Sequence, residues 1–223
     1  MSSSDSTPAW RQRAVLRGLT AARSRAEKRV QRYMDAAFEL MDEKSSTEFT
    51  IQEVIERSGQ SLRGFYQYFD GKGELLLALF EQSVAEALSD LEAAGAAEED
   101  PLGALRAFTV RLHEWCEPAH GARGTHNRVP VSEFSLQLTM TEPERVREAM
   151  APIYEMLAER IRNAAEAGRL EVGDPGVAAL LVQQTVMCSW ITNRLVGNPA
   201  SRITPEQTWE FCARALAAED LRD

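Results

Sequence analysis

Residues 50–75 read TIQEVIERSGQSLRGFYQYFDGKGEL. Thr50, with Glu53 three residues on, has the capping-box pattern that opens a short helix, here expected to run to about Arg57. Gly59 supplies the left-handed backbone that stops it. Ser61 can cap a second helix, from Leu62 to about Phe69. A third starts near Gly71 and runs as LLLALFEQSVAEALSDLEAA to about Ala94. Two short helices around a sharp glycine turn make a helix-turn-helix, whose second helix can enter a major groove. Upstream, residues 24–44 read as a helix with Val30, Met34, Ala37, Phe38 and Met41 on one face. Val54, Ile55, Phe65 and Phe69 are expected to bury against its Phe38 and Met41.

The side chains left over by that packing are the candidate DNA contacts. Gln60, Ser61, Leu62, Arg63, Gly64 and Gln67 fall where the second helix would face a groove. Arginine suits guanine, glutamine suits adenine, and Leu62 suits a thymine methyl. Gly64 is expected to permit close approach to the duplex. The hydroxyls of Tyr66 and Tyr68 can bond phosphates. Lys72, at the start of the next helix, can do the same, where the helix N-terminus also favours an anion.

The stretch resembles the N-terminal domain of the TetR family of transcriptional regulators. That family's pattern is roughly T-v-x-x-I-A-x-x-A-G-V-S-x-G-x-x-Y-x-H/Y-F-x-x-K-x-x-L. This chain matches it at Thr50, Ile51, Gly59, Ser61, Tyr66, Tyr68, Phe69, Lys72 and Leu75. It departs at Gln60, where valine is usual, and at Arg63, where the usual glycine comes one residue later as Gly64. Glu56 and Ser58 replace small apolar residues. These departures bear on the DNA sequence read, not on the fold. The resemblance implies that Gln52, Arg63, Gly64 and Gln67 approach bases and that Tyr66, Tyr68 and Lys72 approach phosphates. It also implies a homodimer on an inverted-repeat, double-stranded operator. The regulator would be a repressor, released by a small, largely apolar effector bound in the C-terminal half.

Charge supports a polyanionic partner only locally. The 223 residues carry a net −9. Residues 1–32 nevertheless hold eight basic and two acidic side chains, a net of +6, against −15 for the other 191. One end is thus suited to a polyanion. From Trp10 the chain has good helix formers, able either to extend the next helix or to stay a flexible arm. The longest aliphatic run, Val177 to Val182, is too short to span a bilayer. No apolar segment near the N-terminus suggests a secretory signal. The three cysteines, Cys116, Cys188 and Cys212, suit a reducing compartment, so a cytoplasmic location is expected. No phosphate loop, His-Glu-x-x-His, Cys-x-x-Cys or Gly-x-Ser-x-Gly is present, so neither an enzyme nor a cofactor is expected.

No stretch alternates like a strand. The expected class is all-α, with about nine helices: a basic arm at 1–23, a three-helix helix-turn-helix domain at 24–75, and a helical effector-binding and dimerisation domain at 76–223. Asp100, Asp174 and Thr204 each precede a proline suited to a first helical turn. Thr141-Glu142-Pro143-Glu144 reads as a capping box. The segment 175–196 is apolar on more than one face, so something must cover it. With the segment TPEQTWEFCARALA it can form a dimer seam through Ala178, Leu181, Thr185, Trp209, Ala213 and Leu216. Aromatic and polar residues in apolar helices mark the candidate effector contacts: His113, Trp115, Cys116, Phe134, Leu138, Met187, Trp190, Ile191 and Asn193. Trp190 and Asn193 lie three apart, a stacking surface beside a hydrogen-bonding group. The competing reading is a helical small-molecule or metal sensor without DNA readout, in which His113, Cys116 and His120, with His126 nearby, hold the ion. Pro118 interrupts the helical spacing that this needs.

Overall fold

The structure is a computed structural model that describes residues 9–44, 46–116, 137–196 and 198–217. Among them the elements are α1 (Ala9–Lys44), α2 (Ile51–Ser58), α3 (Leu62–Phe65), α4 (Lys72–Ala96), α5 (Pro101–Cys116), α6 (Pro143–Glu166), α7 (Pro175–Leu195), a 3-10 turn at Pro199–Ser201 and α8 (Pro205–Leu216). Residues 137–141 are helical too, and no described residue lies in a strand. No described helix is long and apolar enough to cross a membrane.

Local signals set most boundaries. Thr50 and Glu53 form the expected reciprocal capping box, and Gly59 closes α2 at φ 63°. Ser61 caps α3 by accepting from the Gly64 amide. Asp174 caps α7, Thr204 and Gln207 form a capping box on α8, and the Asp100 carboxylate accepts from the Gly103 amide. Three expectations change. The helix expected from residue 24 runs without a break from Ala9, because the arginine- and alanine-rich segment before it favours helix throughout. The second helix of the motif is regular only to Phe65. Gln67 and Tyr68 then donate to Gly64 and Phe65 three residues back, a tighter last turn. Thr141 caps nothing: its hydroxyl donates back to the Gln137 carbonyl, and Glu142 is the N-cap of α6 without a side-chain bond.

A single hydrophobic cluster joins both halves. In the head, Tyr33, Phe38, Met41, Val54, Phe65 and Phe69 are buried together, and Ile55 is half-buried against them. Helix α4 leaves the head and packs on α5 and α6; α5 also touches α7 and α8, which makes it the centre of the body. Leu75, Leu77, Leu79 and Phe80 at one end of α4 and Leu91 at the other are all fully buried.

Candidate nucleic-acid interface

Three aromatic rings set the pose of α3. Phe65 packs edge-on against Tyr33 at 5.5 Å between centroids and tilted against Phe69 at 5.3 Å. The Tyr33 hydroxyl donates to the Ser61 carbonyl at 2.8 Å, so α1 grips the start of α3. Burial pushes the Tyr33 phenol up, which keeps its proton on and the donor available. A Cβ on Gly64 would lie 2.8 Å from the Tyr33 hydroxyl oxygen and 3.1 Å from Ser61 Oγ. The space left by Gly64 is therefore filled from inside the domain. The absence of a side chain at Gly64 thus lets α1 pack closely on the start of α3. Tyr33 was not legible as a positioning residue from its local sequence.

With Phe65 turned inward, Ser61, Leu62, Arg63, Tyr66 and Gln67 are exposed. Leu62 is 49% and Tyr66 55% exposed, large apolar areas to leave in water without a partner. Tyr68 is half-buried and packs on the core, so the two tyrosines diverge. The Gln60 amide turns back to the Ser58 and Gly59 carbonyls at 3.4 and 3.3 Å and stays at the turn. Gln52 is exposed on α2 and donates to Glu56 at 2.8 Å. The Lys72 ammonium stands 4.7 Å from the centre of the Phe49 ring, and partial burial lowers its pKa. The motif is braced on α1 by Arg57, which bonds Glu43 through both terminal nitrogens and reaches Glu39. Lys44 meets Glu53 at 2.7 Å, and that contact together with Thr50 holds the Glu53 carboxyl down at about 2.

The candidate effector residues separate. His113 and Cys116 are buried on α5, and Cys116 Sγ lies 3.5 Å from Met187 Sδ on α7. Leu138 is buried, and Met187 and Trp190 are half-buried on the same core. Cys116 and Met187 thus meet between α5 and α7. Trp115 instead donates to Asp90 at 2.7 Å, beside the Asp90–Arg111 pair. Ile191 is 42% exposed. The Asn193 amide both donates to and accepts from the Ile203 backbone, at 2.9 and 2.7 Å, so it closes the segment before α8. Phe134, His120 and His126 lie outside the described residues, as does the connector around Pro118. Among the described residues no three candidate ligands gather for a metal ion.

Along α7 and α8 runs an open groove of about 710 Å³, lined by Val177, Ala178, Leu181, Thr185, Phe211 and Leu216 among others. Val177, Leu181 and Phe211 are more than half exposed. Of the expected seam, Ala178, Trp209 and Leu216 are buried in the chain's own core, Ala178 and Leu216 also lining the groove, and Phe211 takes an outward place.

Residues 34–79 match the family model described as bacterial regulatory proteins, tetR family. No curated protein matches the chain in sequence. Among solved structures, a bacterial regulatory protein in the tetR family from Rhodococcus RHA1 is 20% identical, covering 86% of this chain and 99% of its own, with a TM-score of 0.64. The fatty acid degradation regulator FadR from Bacillus halodurans is 14% identical over 87% of this chain and 96% of its own, at 0.65. AibR, solved with isovaleryl coenzyme A and operator DNA, is 18% identical over 84% and 97%, at 0.59. At these identities the likeness is one of fold. Residues 34–79 are thus similar to the domain described by the tetR-family model, and the chain as a whole shares the fold of the solved regulators it resembles.

Proposed function

We propose that the chain is a DNA-binding transcriptional regulator that acts as a homodimer on an inverted-repeat operator. The observation that carries this reading is the outward face of α3. Leu62, Arg63 and Gln67 stand in solvent on a helix whose opposite side is fixed by Tyr33, Phe65 and Phe69. On this reading Arg63 and Gln67 supply the two side chains that read guanine and adenine edges, and Tyr66 and Lys72 are the groups for phosphates.

The groove along α7 and α8 is the surface we assign to the second copy, with Leu181 and Phe211 as its anchors. A two-fold pair would place two α3 helices about 34–36 Å apart, or a multiple of one DNA turn. We assign the effector to the region where α5 meets α7, around Cys116, Met187 and Trp190. Gln183 lies one turn before Met187, is 3% exposed, and among the described residues its amide has no hydrogen-bond partner. A buried amide in that state favours an effector that is mostly apolar but carries one hydrogen-bonding group. Binding there would favour a different setting of α4 and lower the affinity of the heads for the operator, the behaviour of a repressor. On this reading the chain is no enzyme and needs no cofactor.

The test is selection of duplexes from a random-sequence library by the full chain, followed by footprinting. The reading expects a palindromic site and relaxed choice at one base pair per half-site in Arg63→Ala. Recovery of unrelated sequences, or unchanged preference in Arg63→Ala, overturns it.

A further inference from the structure

The first twenty residues of α1 stand in solvent along almost their whole described length. From Trp10 to Arg29 every side chain the structure describes is exposed except the half-buried Ala26. At 1.5 Å per residue, residues 9–29 extend about 30 Å beyond the last turn held by the head. That reach equals about nine base pairs at 3.4 Å each. Its starting point is fixed by the contact already described. Tyr33, one turn beyond Arg29, donates to the Ser61 carbonyl at the beginning of α3. The helix therefore departs from beside the N-terminus of the reading helix, not from the far side of the protein.

Its charge is arranged rather than scattered. Arg17, Arg25, Lys28 and Arg32 fall at steps of eight, three and four, which is one helical face. Arg11, Arg13 and Arg29 flank it. Val15, Leu19, Ala22 and Ala26 form the opposite stripe, in line with Val30 and Tyr33 of the core seam. Arg23 pairs with Glu27 at 2.7 Å and the Arg11 guanidinium stands 5.9 Å from the centre of the Trp10 ring; among the described residues the other cations of this segment form no ion pair. A free-standing rod with so many unpaired like charges repels itself and is stabilised by a polyanion along its length.

We propose that the N-terminal half of α1 is a second DNA-contact element, which follows the phosphates flanking the site read by α3. It carries affinity and salt dependence without base choice. This rests on the DNA-binding reading above and extends the footprint on each outer side of the operator by up to about one turn.

The experiment compares three full-length proteins on a duplex selected by the unaltered chain and on an unrelated duplex of equal length. They are the unaltered chain, the combined Arg11→Gln, Arg13→Gln, Arg17→Gln and Arg25→Gln variant, and Arg63→Ala. All four glutamine positions are exposed and glutamine is a good helix former, so circular dichroism should show unchanged helix content. The proposal expects the fourfold variant to bind both duplexes at least about tenfold more weakly near 0.1 M salt. The slope of log K against log salt should fall by about three to four, at about 0.9 per lost phosphate contact. The ratio between the two duplexes should stay as it was. Arg63→Ala should do the reverse, losing the ratio and keeping the slope. Unchanged affinity and slope in the fourfold variant overturns the proposal while leaving the reading by α3 intact. Binding to phosphatidylglycerol vesicles that the fourfold variant loses, with no change on DNA, also overturns it and assigns the rod to a membrane surface. If the unaltered chain fails to prefer its selected duplex, the reading by α3 falls. A slope difference seen even then supports the rod as a DNA-contact element by itself.

Discussion

Arg145 on α6 bonds Glu74, in the first turn of α4, through both terminal guanidinium nitrogens, at 3.0 and 3.3 Å. One of these nitrogens also donates to Glu81, at 3.5 Å. This pair joins the helix that leaves the head to a helix of the body. Both side chains keep more than a third of their surface in water, so its contribution to stability is small.

Arg145→Ala is accordingly expected to lower unfolding stability by no more than about 1 kcal/mol, read from the urea midpoint. Amides in the first turn of α4 should exchange faster in the same variant. Equal exchange rates would show that Glu74 is held without Arg145.

Tyr33 and Gly64 make a coupled pair. Tyr33→Phe removes one of the two donors to the Ser61 carbonyl, the Phe65 amide remaining at 3.0 Å, and is expected to cost about 1 kcal/mol. Gly64→Ala drives a methyl onto the tyrosine hydroxyl oxygen and should cost more. In the double variant that oxygen is gone, so its loss should be smaller than the sum of the two singles. Strict additivity in denaturant unfolding would place the clash elsewhere.

Glu53 supplies a pH signature. Its ordinary value of 4.5 falls to about 2 in the fold, because Lys44 first, and then the Thr50 amide and hydroxyl, bond the carboxylate. A depressed acid stabilises the folded chain above 4.5, and that contribution is lost as the pH falls from 4.5 through about 2. Glu53→Gln should therefore flatten the stability profile of the head in that window. An unchanged profile would mean that other carboxylates carry the acid sensitivity.

Cysteine chemistry reports on the groove. Cys188 is exposed and lines it, whereas Cys212 is buried, its thiol pushed up to about 11 mainly by burial. At pH 8 iodoacetamide should label Cys188 well before Cys212. On the proposed dimer, Cys188 should be protected at high protein concentration and labelled faster in Leu181→Asp. Labelling independent of concentration, in a protein shown to be monomeric throughout, counts against the groove as the seam.

The features legible in the sequence are those made by neighbours along the chain. Thr50 with Glu53, Ser61 with Gly64, and Thr204 with Gln207 each span three residues, so the caps and the turn at Gly59 could be placed without coordinates. Thr141 misled because the same hydroxyl can satisfy a carbonyl behind it as readily as an amide ahead. The Tyr33 bond to Ser61 spans 28 residues and ends on a backbone atom, which leaves no mark in composition. Arg145 and Glu74 lie 71 apart. The candidate pocket is the least legible part. Asn193 reads as a ligand group because it is polar on an apolar helix, and its bonds to the Ile203 backbone are made only by the bend before α8.

Helix α4 contributes to one unbroken core at both of its ends, from Leu75 beside the head to Leu91 deep in the body. The two halves thus lack thermodynamic independence. Calorimetry should show a single cooperative melt, and an isolated head severed after Leu75 would shed the scaffold on which its own aromatic centre rests.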